Sequence, residues 1–407
     1  MNLIARPYEM AFLNRHKNRH IIKVISGVRR CGKSTLFTLF KEELISEGVD
    51  QERIISVNFE DLAYEDLTEY HSLYRYLTDR LDKNCMNYIF LDEIQHVPNF
   101  EKAVDSLFLL DYVDIYITGS NGYFMSTELA TLLSGRYVEL KMLPLSFREF
   151  CSGLSTDQLS NAQKYELYIR NSSFPYLAVA GLSYAEIRDY LTGIYNTIIV
   201  KDTLTRIGSA DIALLEKIMK YLSANIGTLI SPNKIANTLT SSGRRTDNKT
   251  VEKFLHGLKD SLLIYQADRY DVRGKNLLKT NSKFYLVDPA FRRLLINDTG
   301  GDTGHLLENV VYLELLHRGY RVYVGQIAGA EVDFVAETSD GLVYYQVAET
   351  TLDHKVLERE LKPLRSIPDQ YPKYLLTLDE ISAEADYNGI RKENVLSWLL
   401  GSCSNSV

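Results

Sequence analysis

One short segment constrains this chain more than any other. Gly27-Val28-Arg29-Arg30-Cys31-Gly32-Lys33-Ser34 stands between an apolar run, HIIKVISG, and a stretch with apolar residues near helical spacing, KSTLFTLFKEELISEG. It fits G-x-x-x-x-G-K-[ST] with the required strand before it and helix after it. Glycines let backbone N–H groups curl around phosphate oxygens, because a Cβ would block the turn. The positive end of the helix points at the same phosphates. Lys33 would bring a compact cation to the β- and γ-phosphates, and Ser34 a hydroxyl ligand for Mg²⁺. Gly27, Cys31, Gly32 and Thr35 complete the expected nucleotide cradle. Arg29 and Arg30 are candidates for contacts to nucleotide, DNA or a partner, and equally for plain surface residues.

The flanking pattern extends the reading. ERIISVNFED, MNYIFLDE, VDIYITGS and RYVELKM read as further strands, with helices DLTEYHSLYRYLTDRLD and FEKAVDSLFLLD between them. Strands alternating with helices imply a parallel, doubly wound sheet, in which ligands bind beyond the carboxyl ends of the strands. The third strand ends in Asp92-Glu93. Two acids at the exit of a buried strand are costly unless a cation neutralises them. Asp92 would then hold Mg²⁺, and Glu93 would polarise an attacking water. Thr118, Ser120 and Asn121 at the end of the fourth strand would orient water or sense the γ-phosphate. Arg136 is a candidate arginine finger, in its own subunit or from a neighbour. A surface or salt-bridging role for it remains open.

GVRRCGKSTL, FLDEIQHVPNFEKAVDSLF, ITGSN, SGR and LPLSFREF resemble the AAA-like P-loop ATPases that carry a C-terminal domain of unknown function, DUF4143. That prokaryotic family is related to the archaeal AAA and STAND-type NTPases. The resemblance covers nearly the whole chain. It implies an α/β fold: an ASCE-type P-loop NTPase core, then a helical and winged-helix region, then a restriction-endonuclease-like α/β domain. It implies ATP and Mg²⁺ as cofactors, with Asp92 and Glu93 as Walker B aspartate and catalytic glutamate.

The expected domains are 1–154 (P-loop ATPase), 155–210 (helical lid or connector), 211–290 (winged helix), 291–385 (nuclease-like) and 386–407 (C-terminal helix and tail). In the third of these, DIALLEKIMKYLSANIG, SPNKIANTLT and TDNKTVEKFLHGLKDSLLI read as helices. IYQADRYD and KFYLVD follow as strands around a polar turn, VRGKNLLKTNS, which is winged-helix order. Asn248, Lys249 and Lys253 would face outward on the third helix. Arg244 and Arg245 precede it, and Arg273, Lys275 and Lys279 fall on the wing. Cations so placed would meet DNA phosphates, or serve a protein interface, or simply be solvated.

After the wing, a helix, three strands, a helix and a strand follow the core order of PD-(D/E)xK nucleases. The resembling residues are Glu308, Asp333 and Gln346. Such a site needs carboxylates for Mg²⁺ and a lysine for the water. Gln346 stands where an acid is expected and Ala348 where the lysine is. The reading is therefore a degenerate nuclease kept for binding, unless Lys355 or Glu349 substitutes.

Composition sets outer bounds. Across 407 residues, 46 basic and 53 acidic side chains give a net charge of -7, which excludes a basic nucleic-acid coat but not a local patch. Four scattered cysteines show no disulfide or zinc spacing. The start, MNLIARPYEMAF, has no apolar core of a secretory signal, and no run is long enough to span a bilayer. A cytoplasmic protein without membrane contact is expected, with double-stranded DNA or a protein as candidate partners and homo-oligomers possible. Two functions fit: a Mg²⁺-dependent ATPase that moves its C-terminal modules, or a nucleotide-gated binding switch with little turnover.

Overall fold

A computed structural model describes residues 3–119, 133, 135–154, 158–208, 211–296 and 303–401. The chain divides into two compact units, Met1–Pro144 and Leu145–Val407.

The first unit runs α1 (Pro7–His16), β1 (Ile22–Gly27), α2 (Lys33–Ser46), β2 (Ile54–Asn58), α3 (Tyr70–Thr78), β3 (Asn87–Asp92), α4 (Phe100–Phe108), β4 (Val113–Thr118) and β5 (Tyr137–Met142). All five strands are parallel, in the order β2-β3-β4-β1-β5. Every residue of β1, β3 and β4 is buried. Parallel strands covered on both faces carry near-continuous apolar runs, which is why these three are the plainest strands in the sequence. Val24, Ile89, Leu91, Ile115 and Ile117 meet Val104 and Leu107 of α4 in one core. Lys23 is the charged exception inside β1. Its ammonium is paired with Asp114 and also donates to the Arg19 carbonyl at 2.9 Å. This is the α/β fold of P-loop NTPases. The strand order sets β4 between β1 and β3, so the carboxyl end of β4 separates the phosphate loop from the acids that end β3.

The second unit begins with α5 (Phe147–Gly153), α6 (Asn161–Asn171) and α7 (Tyr184–Thr197), which passes into a π-helical stretch, Ile198–Leu204. Then come α8 (Ile212–Ala224), α9 (Pro232–Ser241) and α10 (Asn248–Asp260). Ser231 caps α9, accepting the Lys234 N–H, with Pro232 at the first helical position. Val251, Phe254, Leu255 and Leu258 form the buried face of α10.

β6 (Ile264–Asp271) and β7 (Asn276–Leu286) form an antiparallel hairpin. Its turn is shorter than the sequence suggested. Asn276, Leu277 and Leu278 pair with Asp271, Tyr270 and Arg269, so strand replaces most of the expected loop. The hairpin is not a free wing. β6 also pairs, in parallel, with β8 (Arg321–Ile327). β9 (Ala330–Thr338), β10 (Gly341–Ala348), β11 (Lys373–Thr377), β12 (Ala385–Asp386) and β13 (Ile390–Asn394) complete one eight-stranded sheet, ordered β12-β13-β11-β10-β9-β8-β6-β7. α11 (Thr303–His317) and α12 (His354–Arg365) pack on its strands, and α13 (Val395–Leu400) follows β13. Among the described residues no helix is long and apolar enough to cross a membrane.

Candidate functional site

The phosphate loop has the backbone its sequence calls for. Arg30 and Gly32 both have positive φ, 68° and 105°. Alternating such residues with ordinary ones turns successive N–H groups toward one point, which makes an anion nest. Gly27 is required for a different reason. A Cβ there would lie 2.5 Å from the Met142 carbonyl oxygen and 2.8 Å from Cys31 Sγ. Cys31 is fully buried, and burial pushes its thiol up. Lys33 is buried and Ser34 exposed at the start of α2, while Thr35 and Arg29 are half-buried and Arg30 is exposed.

Lys33 Nζ donates weakly to the Gly27 carbonyl at 3.4 Å and lies 3.6 Å from Glu93 Oε1. Asp92 and Glu93 are buried, 5% and 8% exposed. Thr118 joins them. Its hydroxyl donates to Asp92 Oδ1, and its oxygen accepts the Glu93 N–H at 2.9 Å. Glu93 has φ 56°, a left-handed conformation that turns the chain sharply off β3. Its other carboxylate oxygen accepts from Gln95 Nε2. Lys41 of α2 donates to Ser56 at 3.1 Å, and burial lowers its ammonium despite the nearby Asp92 charge. The loop, the acid pair and Thr118 thus converge. Ser120 and Asn121 lie outside the described residues.

Arg136 is not brought to this place. It precedes β5 and its backbone pairs with Ile22, at the amino end of β1. Six residues of strand at about 3.3 Å each leave roughly 17 Å between that end and Gly27. Its side chain is 3.9 Å from Asp105 and sits over the Phe108 ring. Within one chain it cannot act on a phosphate held by the loop.

Arg6 was not singled out by the sequence, and it belongs to the site. Its guanidinium pairs with Glu9 at 2.6 Å and donates to the carbonyls of Leu143 at 2.8 Å and Cys31 at 3.4 Å. A trans peptide directs its C=O and N–H oppositely. Holding the Cys31 carbonyl fixes the peptide that carries the Gly32 N–H. Gln95, close after the acid pair in DEIQ, is the second missed residue.

In the second unit, Arg245, Lys249, Lys253, Arg273 and Lys275 are exposed. Asn248 instead donates to Glu252 at 3.2 Å, and Arg244 is paired with Asp211. Of Lys279, only the backbone is described, in β7. Glu308, Asp333 and Gln346 do come together. They line a cleft of about 440 Å³ with His305, Ala348 and Glu349. Lys355 is exposed in the first turn of α12 and does not line it. Gln346 bonds to Glu360 at 2.9 Å. The cation beside Glu308 and Asp333 is Lys283 of β7, 2.8 Å from Glu308 and 3.6 Å from Asp333. The divalent metal that a nuclease would need does not fit a carboxylate set already centred on an ammonium. Among the described residues no group of His, Cys, Asp and Glu is arranged to hold a metal.

Comparison with known proteins agrees on the first unit. A family model described as an AAA domain matches residues 19–151. A second, a domain of unknown function named DUF8612, matches residues 162–301, where the resemblance had implied DUF4143. A Walker-type ATPase of Pyrococcus abyssi is similar at 16% identity and TM-score 0.49, over 72% of this chain and 96% of that one. An uncharacterized protein of Methanocaldococcus jannaschii is 30% identical over 84% of this chain and 79% of its own length. An uncharacterized protein of Haemophilus influenzae is 38% identical over 98% of this chain and 99% of its own. The chain therefore belongs to the same family as the Haemophilus influenzae protein, one whose N-terminal part is an AAA domain with the P-loop ATPase fold.

Proposed function

We propose that the chain binds ATP with Mg²⁺ and hydrolyses it at the mouth of the loop between β1 and α2. One observation carries this reading: a buried lysine at the head of a glycine-built nest lies 3.6 Å from a buried glutamate. The residues fit the metal as well. Mg²⁺ uses few protein ligands beside phosphate and water, and Ser34 and Asp92 supply a hydroxyl and a carboxylate. When bound, the ion neutralises charge on the phosphates. Lys33 supplies a further positive charge, and the Gly32 N–H, its peptide fixed by Arg6, binds phosphate oxygen. Glu93 accepts the proton of the attacking water. Thr118 holds Asp92 and the Glu93 backbone in register.

Arg136, exposed at the far end of the sheet, acts on phosphate only from a neighbouring copy. The exposed cations Arg245, Lys249, Lys253, Arg273 and Lys275 suit a DNA backbone, which makes the winged-helix order of α8 to α10 and the hairpin a candidate duplex-binding element. Duplex affinity should then fall steeply with salt.

A slower, switch-like role is favoured by a second observation. Glu93 is engaged by both Lys33 and Gln95. Nucleotide must draw Lys33 away before the carboxylate is free. The test is calorimetric titration with ATP and Mg²⁺, paired with phosphate release, for the parent and Lys33→Ala. Binding lost in the variant supports the site. Equal behaviour of the two proteins, bound or unbound, rejects it.

A further inference from the structure

The second unit gathers four charges at one point, and three of them, Lys283, Glu308 and Asp333, are buried. Glu308 comes from α11, Glu331 and Asp333 from β9, and Lys283 from β7. Lys283 Nζ lies 2.8 Å from Glu308, 2.7 Å from Glu331 and 3.6 Å from Asp333. The lysine is 2% exposed. Tyr285, two residues on and so on the same face of β7, donates to Glu308 at 2.6 Å. Asp333 accepts the Val347 N–H at 2.9 Å. Buried carboxylates are tolerable only with a cation among them.

That cation is part of the chain. Burial alone would push the Lys283 ammonium down, but Glu308, Asp333 and Glu331 outweigh it and hold it well above its usual range. It therefore stays charged at any physiological pH. Access is narrowed from the other side too: a Cβ on Gly227 would stand 2.8 Å from Glu308 Oε2. A divalent ion entering through the cleft that Glu308 and Asp333 line would meet carboxylates already neutralised by a tethered ammonium.

We propose that the Lys283 ammonium is the resident cation of this carboxylate site, which for that reason takes no divalent metal. The strand that the sequence assigned to a wing thus supplies the charge that closes the cleft's acid cluster. The cleft is therefore not arranged for metal-dependent cleavage.

The test uses the full chain without nucleotide, with Asp92→Asn to silence the other metal position, and Mn²⁺ as probe. Manganese resonance is expected to show no uptake dependent on Asp333. Lys283→Ala is expected to gain one bound Mn²⁺, lost again with Asp333→Asn, and its melting temperature should climb with Mn²⁺ where the parent's does not. Lys283→Arg, which keeps a cation, should remain blind to Mn²⁺, and Lys283→Met, which keeps the length without the charge, should gain Mn²⁺ and serves if the alanine variant fails to fold. The proposal is overturned if the parent takes up Mn²⁺ in an Asp333-dependent way. It is equally overturned if a folded Lys283→Ala, or Lys283→Met in its place, gains none.

Discussion

Thr118 donates its hydroxyl to the carboxylate of Asp92, across the β3–β4 boundary and away from all solvent. The same oxygen accepts the N–H of Glu93. One side chain therefore fixes both the direction of the first acid and the sharp turn that presents the second. Thr118→Val keeps the shape and removes both bonds. ATP turnover is expected to fall more than tenfold with ATP affinity little changed, and the fold to lose about 1–3 kcal/mol from the unsatisfied buried groups. Paired turnover and binding measurements would show the split.

Glu93→Gln separates the two jobs of its carboxylate. Loss of the proton acceptor should lower turnover by about 10²–10⁴-fold. ATP should bind at least as tightly as before, because Lys33 no longer has a competing anion 3.6 Å away. An affinity that drops along with the rate would mean that Glu93 acts mainly in holding the loop.

Arg6 links α1 to the loop through buried bonds, so its loss has two readouts. Arg6→Met leaves Glu9 without its guanidinium and is expected to cost about 3–5 kcal/mol in urea unfolding. Arg6→Met with Glu9→Leu should recover much of that stability. ATP affinity should stay weak in both, because the peptide that carries the Gly32 N–H is no longer fixed. Recovery of affinity together with stability would reduce Arg6 to a packing residue.

Asp333 gives the second unit a pH signature. Burial, and the charge of Glu308, push its carboxyl up to about 7, against the pull of Lys283 and the Val347 N–H. An unfolded aspartate titrates near 3.8. Between these values the folded chain holds a proton that the unfolded chain has released, so this group's contribution to stability falls as pH rises through the window. Glu308, held below its usual range chiefly by Lys283 against its burial, runs the opposite way and is present in both proteins compared. The stability of Asp333→Asn relative to the parent should therefore grow from about pH 4 to about pH 7 and then level off. A flat difference would contradict the raised carboxyl.

The first unit was legible because its determinants are local. A glycine loop, its flanking strand and its helix are contiguous, and buried parallel strands announce themselves as apolar runs. Thr118 fell out of the same logic, as the end of such a run. The position of Arg136 was in principle legible too. A residue just before a parallel strand lies at the end of the sheet opposite the phosphate loop. Arg6 and Lys283 were not legible. Each acts on residues far along the chain, Cys31 and Leu143 for one, Glu308 and Asp333 for the other, and a lone basic residue in a helix cap or strand reads as surface. The short turn of the hairpin was missed because NLLKTNS has too few β-branched residues to look like strand until Tyr270 and Arg269 are seen opposite it.

The parallel ladder between β6 and β8 joins the hairpin to the strands that follow it. Anyone dissecting the molecule at the seam between Ile296 and Thr303 would cut through a shared sheet and not between two finished pieces. Each fragment would expose a raw row of amides and carbonyls, which invites stickiness and insolubility. Soluble truncations should be sought at other breakpoints.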